Sequence, residues 1–319
     1  MKTKLSKIRP FLSFGGLVVL VIAYLFVVDF APSPFHIETI INQAAVMAVL
    51  STGAVFIFSL GSFDISLGNA AGVAVCLGVL AYNAGWGIAG MFFVCVGVGI
   101  VTGLINSVLS AVFKLPVFIM TLAMMTVLIA ILQILMDGAT SIRIERSIIA
   151  PVKELDSLGF RLVFVVVFFA FCVVIFNYTK VGRKNKLQGG SPTVASQTGI
   201  SVARQAIITF LISGTAVGIS AFLMITRSQA VSNDTGTSLG MDVMMAIVFG
   251  GMPLSGGAYS KISSGVIGSF SMVLLSQIMT IQGATPGMSQ IIKSALFLVV
   301  VFAASMNYRE KMLSRAQMV

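Results

Sequence analysis

Charge is scarce in this sequence: Asp, Glu, Lys and Arg make up 9% of its 319 residues, against roughly 25% in soluble domains. That is too little to clothe a soluble globule. Histidine is scarcer still, with His36 alone in an outer loop, and neither HExxH nor Cys/His ligand spacing occurs. A zinc site and a His-based triad both lack their parts. The three cysteines, Cys76, Cys95 and Cys172, each lie inside an apolar run. Their odd number and spacing argue against a disulfide framework and leave them as packing residues. No GxxxxGK(S/T) is present, so Gly189-Gly190 is no phosphate loop and the polypeptide shows no ATP site of its own. The net charge of +10 would suggest nucleic acid in a soluble chain. Here the positions of the charges matter more than their sum, and no nucleic-acid partner, metal or catalytic residue is expected.

What is abundant is apolar sequence, at 57% of residues with a mean hydropathy of +1.04. Runs separated by Gly, Pro or charge fall at 11–28, 40–60, 65–82, 88–112, 116–136, 161–178, 205–226, 240–257, 262–281 and 288–306. Each approaches the roughly 20 residues a transmembrane helix needs. The pattern predicts an all-α polytopic membrane protein with about ten spans, forming a single domain over 1–319. The first run follows a basic stretch as a signal peptide would, but it ends in Asp29-Phe30-Ala31-Pro32 without a convincing cleavage site and reads as a retained helix. The runs at 65–82 and 240–257 are short and glycine-interrupted, suiting broken or partly re-entrant helices. Gly99/Gly103 and Gly214/Gly218 place small residues at the spacing that lets membrane helices pack closely.

Placing the N-terminus inside sorts the charges. The inner side then receives Lys2, Lys4, Lys7, Arg9, Lys114, Lys180, Arg183, Lys184, Lys186, Arg204, Lys261, Arg309, Lys311 and Arg315. Arg143, Arg146, Lys153, Arg161, Arg227 and Lys293 fall outside or near the outer ends, fourteen basic residues against six. Of the acids only Asp64 and Glu310 fall inside, while Asp242 and the rest go outside. This predicts an even number of spans with both termini cytoplasmic.

Two features depart from generic membrane sequence. Thr179–Arg204 is basic, polar and too long for a simple turn. Ser191-Pro192, then Thr193–Thr198 and Gly199, predicts a short surface helix with a cap, an initial proline and a terminating glycine. A solvated basic loop remains the alternative. The second feature is a repeated motif, Gly61–Gly68 and Gly250–Gly257, aligning as Gly-(Ser/Gly)-x-x-(Ile/Leu)-Ser-x-Gly. Such breaks free backbone groups that only protein or a watery cavity can satisfy, which suits a translocation path; a chance match in a glycine-rich chain is the other reading. Asp64 in the first copy is either a functional carboxylate or the cap of the helix that follows. Asn42, Gln43, Asn69 and Asn106 could glue helices or face a polar solute.

Together these residues resemble the membrane permease subunit of ribose-type ABC sugar importers, over almost the full length. Gly61–Gly68 is similar to that family's GGxDLSVG, with Ser62 and Phe63 departing. Gly103-Leu-Ile-Asn106 with Leu115–Leu122 resembles its GxxNG and PxFIxTL segments, with Ser107 in place of glycine. Gly182-Arg183, Gly189–Pro192, Ala195 and Thr198–Ile200 resemble GR, GGNPxAA and SGI, with Ser191 for asparagine. Ala246–Gly257 resembles AAxxxGGTSLSGG, and Met241 stands where a glutamate often precedes the aspartate at Asp242.

The resemblance implies a type II ABC importer-like bundle in the bacterial cytoplasmic (inner) membrane. It implies a second permease copy or paralogue, two cytoplasmic ATP-binding subunits that hold the ATP and Mg, and an extracytoplasmic sugar-binding protein facing Arg143–Asp156. The loop at 179–204 becomes the coupling segment, with Gly182, Arg183, Gly189, Gly190, Ser191, Pro192, Ala195 and Gly199 as its candidate residues. Candidates for the path are Asn42, Asp64, Ser66, Asn69, Asn106, Phe118, Thr121, Gly250, Gly251 and Ser255. The expected function is import of a pentose or hexose by alternating access, with a nucleoside or autoinducer-2-like furanose as alternative cargo. An ion-coupled secondary transporter needs buried titratable groups, for which Asp64 is almost the sole candidate, and a membrane-embedded enzyme lacks a nucleophile and base at depth.

Overall fold

The computed structural model describes residues 2–316, with side chains described for 14–302. The side chains of Lys2, Lys4, Lys7, Arg9, Arg309, Glu310, Lys311 and Arg315, which weigh in the sidedness argument, lie outside that range. Each apolar run carries one helix. In chain order the helices are α1 (Lys2–Val27), α2 (Pro34–Ser59), α3 (Leu67–Ala81), α4 (Gly87–Ala111), α5 (Val117–Met136), α6 (Ala150–Glu154), α7 (Leu158–Val173), α8 (Lys180–Gly190), α9 (Pro192–Gln197), α10 (Val202–Ser228), α11 (Leu239–Phe249), α12 (Ser263–Ile281) and α13 (Pro286–Ala316).

Six helical stretches among the described residues are long and apolar enough to cross a bilayer, and Phe14–Val27, Leu239–Phe249 and Pro286–Phe302 are shorter apolar helices. One of the six, Leu67–Ala111, spans 45 residues but is no single rod. Gly85 and Gly87 take φ of 86° and 68° at its middle, and the Cys95 thiol donates to the Ala74 carbonyl at 3.4 Å, so α3 and α4 fold back on each other.

The core forms around α2, which is buried at every residue from Met47 to Ser59 and packs against α7, α10, α11 and α12. Beside it α4 and α10 make the most extensive helix–helix contact among the described residues. A Cβ on Gly99 would stand 2.1 Å from the Gly214 carbonyl oxygen, and one on Gly218 would stand 2.3 Å from the Val96 Cα. The two small-residue pairs, read separately in the sequence, are therefore two halves of one backbone-to-backbone interface. At the opposite end from α8, strands β1 (Ser141–Arg143) and β2 (Ala230–Ser232) pair antiparallel, with Ser141 opposite Ser232. Tyr82 and Asn83 tie the α3–α4 turn to this region through the carbonyls of Ile148 and Arg143, at 2.8 and 3.0 Å.

Of the two runs expected to be broken, 65–82 is one uninterrupted helix from Leu67 to Ala81, its glycines Gly68 and Gly72 serving close packing instead, and only 240–257 is broken. The run at 240–257 is helical only to Phe249; at 11 residues α11 is about 17 Å long, near half of a hydrocarbon core of about 30 Å. The motif copies do not match in the register their letters give. By letters Gly61 aligns with Gly250, but the left-handed residue that ends α2 is Gly61 (φ 75°), whereas the one that ends α11 is Gly251 (φ 85°). Gly250 is still right-handed at φ −69°. The equivalence is shifted by one residue because the position requiring positive φ fixes where a helix stops.

Candidate functional site

Both motif copies and the polar segment after α7 meet at the C-terminal end of α2. A Cβ on Gly189 would lie 2.0 Å from the Ser59 carbonyl oxygen and 2.8 Å from the Gly257 nitrogen; one on Gly256 would lie 2.4 Å from the Phe58 oxygen and 2.6 Å from the Gly61 nitrogen. Gly61 in turn faces the Ser255 carbonyl, at 3.1 Å from its would-be Cβ. No side chain fits between these backbones, so α8 rests directly on the loops that follow α2 and α11.

The segment itself is two helices. In α9, Ser191 accepts from the Val194 N–H at 3.3 Å, Pro192 opens the first turn, and Gly199 at φ 80° follows the last. Helix α8 was not foreseen, because its composition is basic and polar. The eight candidate coupling residues divide by direction. Gly182, Gly189 and Ala195 face the bundle, Gly182 so closely that a Cβ would meet the Phe176 oxygen at 1.8 Å. Arg183, Gly190, Pro192 and Gly199 are exposed, with Ser191 between the two sets, and a Cβ on Gly190 would meet nothing within 4 Å. Lys186 bridges the sets: its Nζ lies 4.8 Å over the Phe176 ring, and partial burial lowers its pKa.

Asn185, which sequence reasoning missed, sits at the centre of this junction. Leu60 N–H bonds to the Ile57 carbonyl, tightening the last turn of α2 and depriving the Phe56 carbonyl of its usual i+4 donor. Asn185 Nδ2 donates to that carbonyl at 3.2 Å and to Ser59 Oγ at 3.0 Å. Its Oδ1 accepts from Gln205 Nε2 at 2.5 Å and Thr209 Oγ1 at 3.2 Å, both on α10. The available signal was the spacing of Gly182, Asn185 and Gly189, which puts one face of α8 inward.

Deeper in the bundle, Asp64 is buried in the break before α3. Its Oδ1 accepts from Ser66 N–H at 2.8 Å and Ser66 Oγ at 2.6 Å, and its Oδ2 accepts from Asn106 Nδ2 at 3.1 Å. The carboxylate thus holds the turn ahead of the helix, while Ser66, at the cap position, makes no side-chain cap bond. Asn106 also donates to Ser66 Oγ at 2.9 Å, and Thr121 Oγ1 reaches the Phe63 carbonyl at 3.5 Å. Two cavities of about 10 Å³ flank Asp64, each room for at most one water. Asn106 Oδ1 and both amide atoms of Asn69 are buried without hydrogen-bond partners.

Other path candidates lie elsewhere. Asn42 accepts from Arg161, a fully buried guanidinium that also pairs with Asp156, so Asn42 belongs to a separate network and Arg161 is not an outer surface charge. Phe118 is 47% exposed, and Gly251 and Ser255 are exposed beside the α8 junction, apart from the Asp64 cavities. Gly250 is a packing contact, its would-be Cβ 1.9 Å from the Ser264 oxygen. Gln43 accepts from Gln277 at 2.9 Å, joining α2 to α12. Asp64 is also not the sole buried carboxylate: Asp242 on α11 is as buried and pairs with Lys293 on α13 at 3.1 Å, so neither residue is an outer-surface charge. The sequence hid this pair because its members are 51 residues apart.

Comparison with known proteins adds three findings. Residues 36–301 match the family described as branched-chain amino acid transport system / permease component. The chain is 25% identical to the galactose/methyl galactoside import permease protein of Escherichia coli, over 94% of this chain and 96% of that one, and 27% identical to the fructose import permease protein of Rhizobium meliloti, over 94% and 88%. Its fold is similar to that of a metal-chelate type ABC transporter solved in an inward-facing conformation, with a TM-score of 0.57 and 16% identity over 92% of this chain and 99% of that one.

Proposed function

The chain belongs to the branched-chain amino acid transport system / permease component family and, within it, to the ribose-type sugar permeases of ABC transporters; from that premise we propose that it is the membrane subunit of an ATP-driven importer for a monosaccharide, delivered by an extracytoplasmic binding protein. The observation that carries this reading is the meeting of α8 with the loops that follow α2 and α11 at the end of α2. A pump driven from outside the membrane needs such a place, where a surface element touches the interruptions in the path.

In this reading the ten apolar helices give a multi-pass bundle of about ten crossings, some partial, with both termini on the inner side. Two ATP-binding subunits engage the exposed face of α8 and α9, including Arg183, Leu187, Pro192 and Val194. A second permease completes the path, and ATP is bound and hydrolysed in the partner subunits. Closure of those subunits moves α8, and the contact of Gly189 with Ser59 and Gly257 carries the movement into loops 60–66 and 250–262. The cavities beside Asp64 hold at most a water each, so sugar passes only when these loops rearrange, which is alternating access. The unpartnered amide of Asn69 and the unpartnered Oδ1 of Asn106 suit weak, transient contact with sugar hydroxyls; tight affinity belongs to the delivery protein, since a deep well would slow release. An ion-coupled carrier gains no support from Asp242, because Lys293 already neutralises it.

Reconstitution in proteoliposomes with the ATP-binding subunits and binding protein tests the assignment, using labelled galactose, fructose and ribose. ATP-dependent uptake of at least one is expected. Uptake that persists without the ATP-binding subunits or binding protein would sink the reading.

A further inference from the structure

Resting on the coupling role just proposed for α8, we infer that Asn185 is a positioning residue whose carboxamide divides the work of the junction: its NH2 end drives α2 and its oxygen end only anchors α8 to α10. The side chain is fully buried in an otherwise basic, surface-facing helix. Every hydrogen-bonding position it offers is used. Both Nδ2 protons go to α2, at the Phe56 carbonyl and Ser59 Oγ, while both Oδ1 positions take donors from α10, at Gln205 and Thr209.

The two ends differ in what they hold. Gln205 has a second acceptor in the Val181 carbonyl at 3.0 Å, so the α10 side of α8 stays tethered if Oδ1 is lost. On the α2 side the Phe56 carbonyl is released by the tightened last turn, and Asn185 with Ser59 are the groups that reach it. That turn leads into Gly61 and the loop carrying Asp64, two residues before Ser66. Glycine contacts such as Gly189 against Ser59 can push α2 but cannot pull it. A hydrogen bond acts in both directions, which an alternating cycle requires. The amide is thus the return half of the coupling.

The test compares two variants in the full complex, reading labelled sugar moved per ATP hydrolysed, together with complex assembly. Asn185→Asp keeps the acceptors for α10 and removes both donors to α2. Gln205→Met combined with Thr209→Val keeps both donors to α2 and removes the donors to Oδ1, together with the Gln205 bond to the Val181 carbonyl. The expected result is at least a fivefold lower sugar-to-ATP ratio for Asn185→Asp, with ATPase activity retained, and a ratio within twofold of wild type for the double variant. A merely structural Asn185 would lower assembly and leave the ratio of the assembled fraction unchanged; that outcome, or equal loss in both variants, overturns the inference. If Asn185→Asp does not assemble, Ser59→Ala removes one acceptor and the second bond to Phe56, and a wild-type ratio there overturns it equally. Absence of ATP-driven uptake in the wild-type complex would instead refute the transport reading itself.

Discussion

Two of the regions where the molecule buries polar side chains differ in how well those side chains are satisfied. Around Asn185 each donor and acceptor of the carboxamide is matched, and backbones touch through glycine on either side. Around Asp64 the matching is incomplete: Asn106 Oδ1 and both ends of Asn69 have no partner, and small cavities lie alongside. A satisfied buried network stiffens what it joins, while an unsatisfied one leaves desolvated groups whose energy improves when something hydroxylated arrives. Under the function proposed for this chain, the first region would serve as a joint and the second as part of a path.

The largest effect should come from a third polar contact of the satisfied kind. Lys293→Met leaves Asp242 buried without its cation and is expected to destabilise the protein by about 3–5 kcal/mol, while adding Asp242→Asn restores most of the loss. Thermal unfolding in detergent of the single and double variants checks this, and a double variant no better than the single would mean that the pair is not coupled. Next, Gly189→Val drives a side chain into the Ser59 and Gly257 backbones, at about 1–3 kcal/mol. Gly190→Val, one residue on, enters open space and should stay within about 0.5 kcal/mol. Equal stabilities for these neighbours would dissolve the picture of a packed joint. The smallest stability change belongs to Asn69→Leu, which replaces two unpartnered groups and should leave stability within about 1 kcal/mol or raise it, while sugar uptake falls. If unfolding temperature drops sharply, Asn69 is satisfied after all and the contrast between the regions fails.

Much of the fold was legible because membrane helices are written locally. Each apolar run became a helix, and Ser191-Pro192 and Gly199 bracket α9 because caps are made by near neighbours in the chain. The candidate site was legible only in part. Asp64, Ser66, Asn106 and Thr121 do come together, since the break before α3 exposes that turn to α4 and α5. Asn42 and Phe118 do not join them, because which way a residue faces on a buried helix depends on neighbours the sequence does not name. Asn185 was overlooked for the opposite reason: its surroundings in the chain are those of a solvated loop.

The sequence by itself determined that this chain lives in lipid, which apolar runs become its helices, and that the polar segment after α7 departs from the pattern. These follow from one-dimensional facts: with no water to pair with, the backbone must bond to itself within each apolar run, and glycine or proline marks where it cannot. The tertiary structure alone decided that Gly99 meets Gly214, that Lys293 answers Asp242, that the motif copies are offset by one residue, and that α8 rests on both of them. Those are contacts between residues far apart in the chain, set by how side-chain volumes and buried charges pair in three dimensions, and no local pattern encodes them.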